Sequence, residues 1–325
     1  MKTRVAVIYG GRTGEHEVSV RSAKAILAGL DRAKYETTEY FIDKQGKWSP
    51  SPILPEPGAH PEIDVVFPVL HGTFGEDGTM QGLLELADLP YVGAGVMASA
   101  IGMDKEMMKR VCKERMLPVV EYVTVYRHTD NVLDACRKLP FPMFVKPANL
   151  GSSVGISKAH DATELEAAFA LARQYDRKVI VERAIDGREL ECSVLGNAEP
   201  VASLPCEILP SREFYDYDDK YLLDMARTQV PADLPEDRTE ELRRLALDCY
   251  RAVECEGMAR VDFFLEKDTN QLYINEINTI PGFTSISMYP KMWEHSGIAF
   301  AGLLDRLIAL ALDRHKLKKA TRFTR

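Results

Sequence analysis

Arg260, Asp262, Glu276 and Asn278 are one cation and three oxygen-bearing side chains carried by two strand-like runs, 260–264 and 272–278. Successive side chains on a strand alternate between faces, so Arg260 shares a face with Asp262, and Glu276 with Asn278. The same alternation places Leu272 and Ile274 with Glu276 and Asn278, and puts Tyr273, Asn275 and Ile277 opposite. Hard carboxylate and amide oxygens at a strand exit can hold Mg²⁺ against phosphates. A neighbouring arginine can offset charge on a transferring phosphoryl group or a tetrahedral oxyanion. This is the chemistry of nucleotide-dependent phosphoryl transfer, and the pattern alone leaves a polar hairpin with a surface ion pair as the alternative.

Other segments add to it. Lys146 ends an apolar run and is followed by Pro147 and the loop Gly151-Ser152-Ser153-Val154-Gly155, which offers a cation and unobstructed backbone N–H groups of the kind that hold phosphate. The spacing is not G-x-x-x-x-G-K-[ST], so a P-loop is excluded. Lys105 is a second phosphate-binding candidate, set against a solvated lysine on a helix. The loop 10–19 lacks the third glycine of a dinucleotide turn, and Glu15 within it is equally well a helix cap or a ligand contact. In 214–221, aromatic and charged residues alternate between prolines without a periodic core, which reads as a long loop able to close over a site.

These residues need elements to position them. Val5-Ala6-Val7-Ile8-Tyr9, then Gly10-Gly11 and apolar residues at helical spacing, open an α/β layer. Runs 40–42 and 65–70 supply further strands. The loops at 10–17 and 71–78 then fall at the carboxyl ends of parallel strands, where ligands bind. Expected domains are an N-terminal parallel-sheet α/β unit at 1–103, a central unit at 104–187 and a C-terminal unit at 188–325, within a mixed α/β (α+β) class. The chain has 325 residues and a net charge of -8, which favours a small-molecule enzyme over a nucleic-acid partner. Six cysteines without C-x-x-C spacing read as buried thiols of a reducing, cytoplasmic compartment. The N-terminus lacks a signal-peptide apolar run, and 298–312 reads as a packed amphipathic helix, so no membrane partner is expected. The basic ending at 314–319 reads as a solvated, fraying helix end.

Taken together, the motifs resemble the D-alanine–D-alanine ligase family of the ATP-grasp superfamily over nearly the whole chain. They are G-G-x-x-x-E-H-x-V-S at 10–19, H-G-x-x-G-E-D-G at 71–78, M-D-K at 103–105 and K-P-x-x-x-G-S-S-x-G at 146–155. F-Y-D-Y-x-x-K-Y at 214–221, R-x-D at 260–262 and N-E-I-N-T-x-P-G at 275–282 complete the set. The resemblance implies an ATP-grasp fold and an ATP-dependent ligase that joins two D-alanines through a D-alanyl phosphate for peptidoglycan synthesis. Ester-forming or D-serine-using relatives, and other ATP-grasp carboxylate–amine ligases, are the alternatives.

By residue, the resemblance implies ATP held by Lys105, Lys146, Lys220 and the Ser152 to Gly155 loop with Ser153, by Glu182 and the linker after it at the adenine end, and by Glu189 at the ribose. Asp262, Glu276 and Asn278 would hold two Mg²⁺ ions, with Mn²⁺ able to substitute. Arg260 and the Gly282 N–H would stabilise the oxyanion. Glu15 would hold the first D-alanine, Ser287 and Lys220 would receive the second, and His71 and Met288 would also bind substrate. Glu15, Ser152 and Tyr221 would tie the N-terminal, glycine and closing loops together, and tyrosine at 221 favours a dipeptide over an ester product. A homodimer through the N-terminal domain is implied as well.

Overall fold

The computed structural model describes residues 1–151, 154–209 and 227–322. The N-terminal sheet comprises β1 (Thr3–Gly10), β2 (Tyr35–Ile42), β3 (Trp48–Ser49) and β4 (Val65–Val69) in the order β3-β2-β1-β4, and β1 runs parallel to both β2 and β4. The fully buried apolar run of β4 reflects burial on both faces, as parallel sheets require. Helix α1 (His16–Gly29) lies on one face, while α2 (Thr79–Leu86) contributes Leu84 to the other. α3 (Val96–Met103) follows.

A second sheet, β5 (Tyr122–Tyr126), β6 (Met143–Pro147), β7 (Ser157–Ala159) and β8 (Lys178–Arg183), is antiparallel throughout in the order β5-β8-β6-β7. Helices α5 (Val132–Cys136) and α6 (Ala162–Tyr175) close its apolar face through Val132, Leu165 and Phe169. The third sheet runs β12 (Arg227–Gln229), β11 (Cys206–Leu209), β9 (Gly187–Gly196), β13 (Gly257–Glu266), β14 (Leu272–Asn278), with β10 (Val201–Ala202) beside β9. Its core face rests on α7 (Glu236–Ala252), which buries Leu242, Leu245 and Cys249.

Packing crosses the expected boundaries at 104 and 188. Helix α4 (Lys105–Glu114) buries Met108 and Cys112 in the third sheet's core, while Lys105, Glu106 and Lys109 are also buried. Its two faces thus serve different neighbours, one apolar and one ionic. Helices α8 (Met288–His295) and α9 (Phe300–Lys319), although last in the chain, cover the N-terminal sheet with Tyr289, Trp293, Leu303 and Leu307. The amphipathic reading of 298–312 holds, but the fraying end does not. Arg314 donates to the carbonyls of Gly93 and Tyr91 and stacks on the Tyr91 ring, and Lys318 and Lys319 pair with Glu85 and Asp88. Hydrogen bonds to the backbone at 91 and 93 and ion pairs with Glu85 and Asp88 hold this end. All six cysteines are buried free thiols, and no single helix among the described residues is long and apolar enough to cross a membrane.

The largest departure from the expected pattern lies on β14. Asp262 pairs with Glu276, but Phe263 pairs with Ile274, so Asn275 is an extra residue in a bulge. The bulge reverses the alternation. Leu272, Ile274 and Ile277 all enter the core, whereas Glu276 and Asn278 emerge opposite them on the face of Arg260 and Asp262. Were Asn275 paired in register, strict alternation would put Glu276 and Asn278 on the core face with Ile274. Deleting Asn275 leaves Leu272, Ile274 and Ile277 alternating regularly with Tyr273, Glu276 and Asn278, so both faces should keep their residues and the variant should retain a cooperative melt while losing the contact of Lys146 with Asn275. A deletion variant without a cooperative melt would contradict this phase assignment.

Candidate active site

The third sheet presents its charged face to a cavity of about 240 Å³ lined also by Glu15, Val18, Arg21, His71 and Glu76, which follow strands of the N-terminal sheet. Cross-strand register explains the convergence: Arg260 lies between Ser193 and Asn278, Asp262 between Glu191 and Glu276, and Phe264 opposite Glu189. Arg260 donates two hydrogen bonds to Asp262, at 2.7 and 2.6 Å, and its Nε is 3.3 Å from Glu191 Oε1. Burial opposes the guanidinium charge, but Asp262 and Glu191 outweigh it and hold the Arg260 pKa well above its ordinary value. A bidentate arginine is pre-oriented for a planar or tetrahedral oxyanion.

Lys105 opens α4, whose N-cap Asp104 accepts from the N–H groups of Glu106 and Met107. Lys178 from β8 grips that cap, its Nζ 2.7 and 2.6 Å from the two Asp104 oxygens and 3.0 Å from Glu106. Lys105 is buried rather than solvated. Its Nζ donates to the Leu150 carbonyl at 2.9 Å and lies 3.5 Å from Glu276. It therefore links the glycine loop to the oxygen cluster on β14.

Lys146, at the end of β6, donates to Glu182 at 2.7 Å and to Asn275 Oδ1 at 3.4 Å. Glu182 is 2% exposed, and Lys109 Nζ meets its other oxygen at 2.8 Å. The Glu182 carboxylate is thus shared by two lysines beneath the cavity. Glu182, expected at the adenine end, is placed here against the two lysines and outside the cavity lining. Burial pushes the carboxyl up, but Lys109 and Lys146 more than reverse this and hold its pKa down at about 2. Lys109 escapes sequence reasoning because nothing in a helical lysine's spacing announces complete burial.

On the N-terminal side, Glu15 sits between two backbones. A Cβ at Gly72 would lie 2.7 Å from Glu15 Oε2, and one at Gly151 3.1 Å from the same atom. Gly72, at φ 75°, also has a backbone conformation that suits glycine. His71 Nδ1 lies 3.0 Å from the Ile280 carbonyl and 3.5 Å from Glu76, while Nε2 is 3.2 Å from Ser22 Oγ. Burial lowers the His71 pKa, and the hydrogen bond and charge of Glu76 overcome it to leave it raised. Ser22 Oγ in turn accepts from the Phe283 N–H. This chain ties the loop after β4 to the loop after β14. Ser287 Oγ accepts from the Thr284 N–H at 3.0 Å, and the close approach of Gly282 leaves 2.7 Å between a Cβ there and that oxygen. Met288 lines the cavity and accepts from Cys206.

Glu15, His71, Lys105, Glu189, Arg260, Asp262, Glu276, Asn278, Gly282, Ser287 and Met288 thus line one cavity, with Lys146 beside Asn275 at its edge. Ser152, Ser153 and the whole closing-loop segment 214–221, with Lys220 and Tyr221, lie outside the described residues. Glu191 is an addition. It sits two residues after Glu189 on one strand, so period-two alternation already implied a shared face. Among the described residues no three His, Cys, Asp or Glu groups are arranged to hold a metal by themselves. The donor set nevertheless suits a hard cation. Asp262 and Glu276 are register partners, and the Asn278 amide oxygen, which accepts from Ile280 N–H, follows on the same face. Mg²⁺ commonly takes one or two carboxylates and completes its shell with phosphates and water.

The buried Glu182 gives a pH prediction. Its folded pKa of about 2 lies below the ordinary 4.5, so its stabilisation is complete above about pH 4.5 and is lost as pH falls toward 2. Acid titration of the melting temperature should fall more steeply over that interval for the parent than for Glu182→Gln. Identical slopes would contradict the ionised, lysine-paired state.

Comparison with known proteins bears on the whole chain. The family described as D-ala D-ala ligase C-terminus matches residues 111–309, and D-ala D-ala ligase N-terminus matches 4–60 and 50–94. A D-alanine–D-alanine ligase of Solibacter usitatus is 83% identical over 325 residues, covering 100% of both chains. Among solved structures, the D-alanine–D-alanine ligase of Coxiella burnetii superposes with a TM-score of 0.87 at 41% identity, covering 98% of this chain and 96% of the other. The VanG D-Ala:D-Ser ligase of Enterococcus faecalis gives 0.86 at 34% identity, covering 96% and 100%.

Proposed function

We infer that this chain, which belongs to the D-alanine–D-alanine ligase family, joins two D-alanine molecules with ATP, yielding D-alanyl-D-alanine, ADP and phosphate for peptidoglycan synthesis. The observation that carries the mechanism is the single charged face on which Arg260, Asp262, Glu276 and Asn278 meet the Glu15 loop in one cavity. The fold is ATP-grasp, and the family's reaction uses ATP and a divalent metal.

In our reading that metal is Mg²⁺, as two ions that Mn²⁺ can replace, held by Asp262, Glu276 and Asn278. When bound, it disperses the charge of the nucleotide phosphates. Lys105 and Lys146, with the glycine loop, bind the same phosphates, and Glu189 takes the ribose hydroxyls. Glu15, packed against Gly72 and Gly151, receives the ammonium group of the first D-alanine and so orients its carboxylate toward the γ-phosphate. That carboxylate oxygen attacks phosphorus, ADP leaves, and an acyl phosphate results.

The neutral amine of the second D-alanine then attacks the acyl carbon, with its carboxylate received by Ser287 and Lys220. The C–N bond forms, the C–O bond to phosphate breaks, and the proton lost from the amine nitrogen leaves with the phosphate. Negative charge on the carbonyl oxygen between these events is met by Arg260 and the Gly282 N–H. Glu15, Ser152 and Tyr221 join the three loops that keep water from the acyl phosphate. A cytoplasmic homodimer completes the proposal. Exposed Leu86, Val96 and Met97 on the contacting helices α2 and α3 supply apolar surface for it on the N-terminal unit.

Phosphate release from Mg-ATP should require D-alanine, fail with L-alanine and yield a product of dipeptide mass. Arg260→Met should lower kcat by about 10² to 10³ with a smaller change in KM for D-alanine. Turnover only with D-lactate or D-serine as acceptor would overturn the substrate assignment, and an unchanged kcat in Arg260→Met would overturn the oxyanion role.

A further inference from the structure

Lys109 is fully buried on α4, one helical turn after Lys105, and its ammonium lies 2.8 Å from Glu182 Oε1. The other Glu182 oxygen accepts from Lys146 at 2.7 Å. Three formal charges of two signs are therefore enclosed between α4, β6 and β8, with a net charge of +1. Lys146 reaches the cavity side of this group, where its Nζ contacts Asn275.

We propose that Lys109 is a positioning residue for nucleotide binding, a buried counter-cation that takes up part of the Glu182 charge so that Lys146 presents its own charge to the phosphates. The proposal rests on the reading of Lys146 as a nucleotide contact. A lone Lys146–Glu182 pair would be neutral, and its field at the cavity would largely cancel. Adding Lys109 restores one net positive charge without placing a third group in the cavity.

Stability alone gives little reason for such a residue. Replacing buried ionic groups by apolar side chains of similar volume is often neutral or stabilising, and the same helix already packs Met108 and Cys112 into an apolar core. A charge held at full desolvation cost points to an electrostatic task, because its effect on a nearby anion is weakly screened there.

The test is a charge count. Mg-ATP affinity is measured by calorimetry on the wild type, Lys109→Met, Glu182→Gln and the double variant, in which the group carries +1, 0, +2 and +1 respectively. At an effective dielectric of about 20, a unit charge acting across about 8 to 12 Å changes the affinity for an anion by about ten- to thirtyfold. Lys109→Met should weaken ATP binding by that factor, with KM for D-alanine moving less than KM for ATP. The double variant should return to within about threefold of wild type although it lacks both groups.

A purely structural Lys109 gives the opposite order, with the double variant binding as weakly as the single variant or worse, and that result overturns the proposal. If Lys109→Met does not fold, Glu182→Gln decides alone. Binding at least as tight as wild type supports the count, and weaker binding refutes it. Lys146→Met serves as the reference. If it binds ATP like wild type, the nucleotide assignment of Lys146 falls, and the proposal with it. If it binds weakly while Lys109→Met is unchanged, only the Lys109 inference falls.

Discussion

The bulge at Asn275 lets β14 meet two demands that strict alternation through this residue would set against each other. β14 must place Ile274 and Ile277 in the core shared with α7 and must turn Glu276 and Asn278 toward a solvent-accessible site. Strict alternation would put Ile274, Glu276 and Asn278 on the same face. The bulge resolves this by shifting phase between Ile274 and Glu276. The charged cluster then stands on a strand pair that is itself anchored by buried apolar side chains. Such a foundation holds reacting groups more rigidly than a loop does.

Around that strand pair, charge is concentrated but matched. Arg260 is held by Asp262 and Glu191, Lys105 lies near Glu276, and Glu182 joins Lys109 to Lys146. Unpaired, any of these would cost several kcal/mol to bury. Paired, they can be held together beside one cavity. Units distant in sequence contribute to the same cavity because α8 and α9 fold back over the N-terminal sheet. The Glu15 and His71 loops are thereby fixed against the β14 exit, and the His71 contact with the Ile280 carbonyl is one visible tie.

Much of this was legible in the residues. Arg260 and Asp262 were correctly placed on one face by alternation, and the parallel opening strands correctly put the 10–17 and 71–78 loops at carboxyl ends. Glu191 was readable by the same rule, two positions from Glu189. The bulge was not, because an inserted strand residue has no fixed composition and Asn275 looks like any other polar residue. Nor was the fate of Glu182 and Lys109, since complete burial of a charge depends on a partner supplied by another element. The basic C-terminal end was misread for the same reason. Its acceptors, Gly93, Tyr91, Glu85 and Asp88, lie more than two hundred residues earlier.

The central claim is that this face moves a phosphoryl group onto a carboxylate and then expels it as phosphate. Turnover with D-alanine carrying ¹⁸O in its carboxylate tests that claim directly. An acyl phosphate requires the carboxylate oxygen that attacked phosphorus to leave with it, so each inorganic phosphate should carry one ¹⁸O, read by mass spectrometry. Phosphate free of label, with the dipeptide still formed, would show that the carboxylate was never phosphorylated and would contradict the account.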